Sequence, residues 1–274
     1  MTDIPDAAVI AELADQARAR DIVTIVEGRV AGVVLAPGQT LTRFDLEQYE
    51  STPDRKRGTV TLTDADSFVT YVERHKESIC TTLWGDITAG RVVAVLDDHA
   101  QDNDTAGWGQ HRAVLQLTHT PDWTHWCSRD GKLLEQATFA EHIEDGADAI
   151  REPDPATMLE VAQSFQAKRG VNFSSSRHLG GEIEFGYEET IAARAGQKGK
   201  LDVPSLFTLG LAPFEGSSLY EVRARLRFRL TDGALTLGYR LIRADKTRRA
   251  AFDELIATIA GGADLPVMAG TPRP

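Results

Sequence analysis

A twelve-residue stretch, Leu219–Leu230, constrains this chain more than any other. It reads Leu-Tyr-Glu-Val-Arg-Ala-Arg-Leu-Arg-Phe-Arg-Leu. Tyr220, Val222, Ala224, Leu226, Phe228 and Leu230 alternate with Glu221, Arg223, Arg225, Arg227 and Arg229. Successive side chains of a strand point to opposite faces, so a period of two predicts a half-buried strand. One face enters a core. The other presents a row of guanidinium groups roughly 7 Å apart, two residues of rise from one to the next.

The row sits on an acidic protein. The net charge is −11, yet residues 219–249 hold nine Lys/Arg against three Asp/Glu. Removing that local +6 leaves −17 on the remainder. Such a balance excludes whole-surface binding to DNA or anionic lipid and leaves local anion binding open. No apolar run approaches the ~20 residues of a membrane helix, so no membrane partner is expected. The first residues, Met1-Thr2-Asp3-Ile4-Pro5-Asp6, lack the basic-then-apolar order of a secretory signal. Cys80 and Cys127 are the two cysteines, which fits a reducing compartment, and the cytoplasm is the expected location.

The rest of the chain reads as α+β and predominantly antiparallel. Residues 1–21 form an N-terminal helix, and residues 22–118 a mixed region. That region holds strands at Ile22–Val26, Val30–Leu35, Thr40–Phe44 and Thr59–Leu62, then a helix through His75. A hairpin follows, Ile79–Trp84 with Arg91–Leu96, and then a strand at His111–Leu117. Residues 119–169 read as a helical segment. It opens at Thr120-Pro121, a capping hydroxyl followed by proline at the first helical position. Residues 170–262 read as a β-meander closed by a helix, Lys246–Ala260, that stops at Gly261-Gly262. Its Asp232-Gly233 is a strong hairpin signal. Residues 263–274, rich in proline and glycine, are expected to be a flexible tail. No long linker divides these parts, so a single domain is also compatible with the pattern.

Two constellations carry candidate chemistry. The first is Arg223, Arg225, Arg227 and Arg229. Their forks suit phosphate oxygens, and nucleic acid or a nucleotide is the matching ligand. The competing reading pairs the row with Glu182, Glu184 and Glu188 on a neighbouring strand, within one subunit or between copies. The second is His99 and His111 with Asp97 and Asp98, a set that would suit a divalent metal if brought together, although the spacing matches no metal motif. No cofactor is otherwise indicated. Trp123-Thr124-His125-Trp126-Cys127 reads as a helix anchored by its tryptophans, because residues two apart do not face each other as a nucleophilic pair must. Ser174-Ser175-Ser176 lacks the nucleophile elbow, and there is no Walker or dinucleotide glycine loop.

Four segments together resemble a known family. They are Ser67-Phe68-Val69-Thr70-Tyr71-Val72 with Arg74-His75-Lys76, the block His99…Gly107-Trp108…His111, the run Phe139-Ala140-Glu141-His142-Ile143-Glu144-Asp145, and Pro213-Phe214-Glu215-Gly216 followed by Tyr220–Arg227. Their order and content resemble the YfdQ-like family, a domain of unknown function found mainly in bacteriophages and prophages. The resemblance runs from about Ile22 to about Ile259. It implies a phage or prophage origin and a role in the cytoplasm of an infected bacterium, with no catalytic residues to transfer. The expected function is therefore non-enzymatic: a self-assembling protein that binds a host protein, nucleic acid or nucleotide. A metal-dependent hydrolase or nuclease at His99 and His111, or a structural virion component, are the alternatives.

Overall fold

The computed structural model describes residues 7–20, 23–26, 30–33, 47–77, 79–100, 105–165, 194–195, 201–231 and 234–272. The chain divides into two compact units, Met1–Arg55 and Lys56–Pro274. The first contains helix α1 (Ala7–Arg20) and an antiparallel hairpin of β1 (Val23–Val26) and β2 (Val30–Val33), with Val26 opposite Val30.

The second unit begins with β3 (Gly58–Leu62), α2 (Ala65–His75), β4 (Thr82–Asp86), β5 (Arg91–Val95) and β6 (His111–Gln116). There follow α3 (Pro121–Ser128), β7 (Leu133–Glu135), α4 (Gln136–Asp145), β8 (Ile150–Glu152) and α5 (Pro155–Ser164). It ends with β9 (Arg194–Ala195), β10 (Leu201–Asp202), β11 (Leu206–Leu211), β12 (Tyr220–Thr231), β13 (Ala234–Leu241), α6 (Ala244–Ala263) and β14 (Val267–Ala269). The fold is α+β and mostly antiparallel.

Two five-stranded sheets dominate the described residues, ordered β14-β4-β5-β6-β3 and β7-β13-β12-β11-β8. In the first, β4, β5 and β6 pair antiparallel, while β3 and β14 add parallel edges. One face is sealed by α2 and α6: Phe68, Val72, Leu255 and Ile259 pack on Leu83, Val92, Ala94 and Leu115. Helix α2 starts where Asp64 accepts from Ser67 N at 2.8 Å, which satisfies one orphan donor of its first turn.

The second sheet is antiparallel throughout. Phe207, Leu209, Val222, Ala224, Leu237 and Tyr239 form its inner face, covered by Trp126 of α3, Phe139 and Ile143 of α4, and Met158 and Val161 of α5. Complete burial of such side chains contributes roughly 1.5–3 kcal/mol each. Thr120 caps α3 through Trp123 N, with Pro121 as the first helical residue.

Several expectations need correction. Helix α6 does not stop at Gly261-Gly262 but runs to Ala263. A Cβ on Gly262 would lie 2.9 Å from Val69 Cγ1, so this glycine lets α2 and α6 approach rather than ending a helix. The tail beyond it contributes β14, which pairs with β4 through Val267 and Leu83. The segment 119–169 is not wholly helical, since β7 and β8 form the two edges of the second sheet. The strand expected at Thr40–Phe44 and the one expected to carry Glu182, Glu184 and Glu188 lie outside the described residues.

Candidate functional site

The outer face of the second sheet is built by the alternation of β12. Val222, Ala224 and Leu226 are buried, while Arg223, Arg225, Arg227 and Arg229 are exposed. Tyr220 and Phe228, expected in the core, are only half-buried, and Phe228 packs against Phe165 at 5.0 Å between ring centroids. The strand register sets the surroundings of each arginine. Arg223 stands opposite Thr208, Arg227 opposite Gly238 and Arg229 opposite Thr236. Arg225 stands between Leu206 on one side and Arg240 on the other.

The pair Arg225–Arg240 is the electrostatic centre of this face. Like charges directly opposite each other on adjacent strands are destabilising. Among the described residues no carboxylate forms an ion pair with Arg223, Arg225, Arg227, Arg229 or Arg240. Glu182, Glu184 and Glu188, the expected partners, lie outside the described residues. The described neighbours of β12 are β11 and β13. Arg151 extends the basic face across β11: a Cβ on Gly210 would lie 2.7 Å from Arg151 Nε, so the guanidinium lies over the bare backbone of that glycine. A groove of about 620 Å³ opens where β12 meets α6, and Arg223, Arg225, Arg243 and Lys246 line it.

The second constellation is organised differently from its sequence-based expectation. Both Asp97 and Asp98 brace the chain around them. Asp97 accepts from His111 N at 2.8 Å and Gln110 N at 3.0 Å, and Asp98 accepts from His99 N at 2.8 Å. Exposed His99 accepts from Gly107 N through Nδ1 at 3.2 Å. A Cβ on Gly107 would sit 2.1 Å from Asp97 O, so the loop closes only around glycine. His111 instead turns to α2. It is 7% exposed, its Nε2 is 3.1 Å from the Tyr71 hydroxyl, and its ring lies 5.3 Å from that of His75. Burial holds both His75 and His111 below the usual histidine pKa, with each also facing Lys56. His75 Nδ1 is buried without a hydrogen-bond partner among the described residues. No three His, Cys, Asp or Glu among the described residues come together as a set that would hold a metal.

A further buried polar network lies inside the second core. Tyr239 donates its one hydroxyl proton to Trp126 O, so His142 must donate to the Tyr239 oxygen from Nε2, at 2.9 Å. That fixes a neutral His142 tautomer. His125 stacks on His142 with centroids 4.0 Å apart and donates from Nε2 to the His142 carbonyl. Burial pushes the His142 pKa down to about 4, helped by His125 and Arg129. Burial likewise pushes the Cys127 thiol up to about 11, which keeps it protonated and a poor nucleophile at neutral pH.

Sequence reasoning missed Arg240, Arg151, Arg243 and Lys246 on the basic face, and the Tyr71–His75–His111 and His125–His142–Tyr239 sets. Tyr71 and His75 stand four apart on α2, a readable helical spacing. Arg240 was readable from the Asp232-Gly233 turn, because a two-residue loop places Thr231 opposite Ala234 and hence Arg225 opposite Arg240.

The chain matches the family described as an uncharacterized conserved protein, DUF2303, over residues 6–272. The chain belongs to this family. The match takes in α1 and β14 as well as the basic face and both histidine sets. Comparison with curated proteins gave no match, and neither did comparison with solved structures. Among the described residues no helix is long and apolar enough to cross a membrane.

Proposed function

We propose that this DUF2303 protein is a non-enzymatic, phage- or prophage-encoded binding protein of the bacterial cytoplasm whose ligand is the phosphate backbone of a nucleic acid. The phage origin rests on the resemblance of its four sequence segments to the YfdQ-like family. The binding reading rests on one observation above all: Arg225 and Arg240 stand directly opposite each other with no described carboxylate to neutralise them. A bridging phosphate would offset that repulsion with charge-assisted, bidentate hydrogen bonds.

The arginine row itself carries no aromatic side chain; half-buried Tyr220 stands at its end, in the groove that Arg223 and Arg225 enter. Leu206, Thr208, Gly210, Thr236, Gly238, Leu133 and Glu135 surround the arginines. Single-strand binders add stacking on aromatic rings to a basic groove. A row of arginines with Glu221 at its end and Glu135 and Glu152 on the edge strands, and no ring within the row, favours backbone contacts, which position a duplex without reading its bases. Binding should therefore depend strongly on salt and weakly on sequence.

The test is fluorescence anisotropy with duplex DNA across a salt series. If five guanidiniums neutralise five phosphates, log K against log salt should have a slope of about −4.5. Arg225→Glu with Arg227→Glu should abolish binding and leave the protein folded, with a melting temperature no lower than wild type. A wild-type protein that binds no duplex at low salt would end this reading. The charge asymmetry supports a second reading, self-assembly in which the basic face meets the acidic remainder of another copy. Light scattering would then show oligomers that dissociate with salt and with the same double reversal.

A further inference from the structure

The groove at the junction of β12 and α6 differs from the open row beside it. Arg223 and Arg225 enter it from the strand, Arg243 from the residue that precedes α6, and Lys246 from the helix's first turn. One carboxylate, Glu221, shares the lining. The rest of the lining is Leu206, Tyr220, Ile242, Thr247 and Ala250, with Leu206 40% exposed. None of the four cations forms an ion pair among the described residues.

We infer that this groove is a discrete site for a phosphoryl group carrying two or more negative charges, either the terminal phosphate of a nucleic-acid strand or the polyphosphate of a free nucleotide. Four cations against one carboxylate leave a surplus that a singly charged carboxylate ligand would not meet. The guanidinium forks suit planar, bidentate contact with phosphate oxygens, and Lys246 adds a point charge. A hollow of about 620 Å³ holds more than a phosphate alone, since small-molecule pockets span roughly 300–1,000 Å³. The exposed Leu206 and its apolar neighbours give a sugar or base a surface to lie on. This inference rests on the anion-binding reading of the face, but Arg243 and Lys246 lie off the β12 row and separate the two.

The experiment is a double dissociation. Pyrophosphate and ATP are titrated calorimetrically into wild-type protein, Arg243→Ala/Lys246→Ala and Arg227→Glu/Arg229→Glu. Duplexes with 5′-phosphate or 5′-hydroxyl ends are titrated by anisotropy. The first variant should weaken pyrophosphate and ATP by at least roughly tenfold, the loss of one or more charge-assisted bonds, and retain salt-sensitive duplex binding. The second should keep pyrophosphate binding and lose the duplex. Tighter binding of ATP than of pyrophosphate identifies the free nucleotide. A preference for 5′-phosphate ends that vanishes in Arg243→Ala/Lys246→Ala identifies the strand terminus. Pyrophosphate binding without any duplex binding would sustain the groove and overturn the row. The groove is overturned if wild-type protein binds neither pyrophosphate nor ATP and shows no end preference, or if Arg227→Glu/Arg229→Glu loses pyrophosphate as completely as the groove variant.

Discussion

The two five-stranded sheets treat their central strands in opposite ways. In β5, Val92, Val93, Ala94 and Val95 are all buried, so neither side of that strand meets solvent. In β12, burial alternates with exposure residue by residue. The first sheet is scaffold through its full thickness. The second buries one face against α3, α4 and α5 and leaves the other to solvent, and that open face collects the arginines. Strand chemistry can serve a ligand only where a face is left uncovered.

The sharpest way to break this comparison is a carboxylate moved by one position. Ala224 is fully buried and Arg225 exposed. Ala224→Asp should unfold the second unit, since an unpaired buried charge is among the few changes that cost more than about 4 kcal/mol. Val92→Asp should do the same in the first sheet. Val93→Asp should be as damaging as Val92→Asp, because β5 has no wet side. Circular dichroism melts check all of these. A folded Val93→Asp protein would show that β5 has an open face after all, and a folded Ala224→Asp protein would show the same for the inner face of β12.

Next in size is acid sensitivity. His142 titrates near 4 in the folded protein against about 6.5 when unfolded. Between those values the unfolded chain holds a proton that the folded chain refuses. Stability is thus full above pH 6.5 and falls as pH drops towards 4, by on the order of 2–3 kcal/mol. His75 and His111 are shifted in the same direction and steepen the loss. His142→Phe should flatten the pH dependence of the melting temperature between pH 7 and 4, at a cost of about 1 kcal/mol for the lost hydrogen bond at neutral pH. An unchanged pH profile would shift the titrating role to the His75–His111 pair beside the first sheet.

The same contrast explains what could be read in advance. The alternation of β12 is visible because its two faces meet different solvents. Strand β5 shows only an apolar run, which carries no information about which residue faces which side. Strands β7, β8 and β14 have three residues each, too few for any period to emerge. Gly261-Gly262 resembles a helix stop until the neighbour Val69 is known. For the candidate site, the arginine row was legible and the turn at Asp232-Gly233 implied Arg240. The groove was not, because it depends on where α6 lands. Nor was the hydrogen bond between His142 and Tyr239, which are 97 residues apart.

Smaller effects separate the helices that serve each sheet. Asp64 caps α2 over the first sheet, and Thr120 caps α3 over the second. Asp64→Ala and Thr120→Ala should each cost about 1 kcal/mol. Thr120 also donates to Ala212 O at 2.5 Å, so its loss should be the larger of the two in a denaturant midpoint series.

The smallest expected change in stability is also the one that best separates a binding face from a structural one. Arg225→Glu places a carboxylate opposite Arg240 and removes a like-charge contact. Opposite charges at such a cross-strand position contribute roughly 0.2–1 kcal/mol. For a unit of this size that is about 0.4–4 °C in melting temperature. The variant should therefore melt slightly higher than wild type while losing affinity for duplex DNA. A gain in stability with a loss of binding means the arginine is held at this position against the preference of the sheet, which is the signature of a site. If Arg225→Glu melts lower, the guanidinium already has an acidic partner, and Glu182, Glu184 and Glu188 are the first to test. Charge reversal of those glutamates to lysine in the Arg225→Glu background would then restore the melting temperature, because a true pair tolerates exchange of its signs.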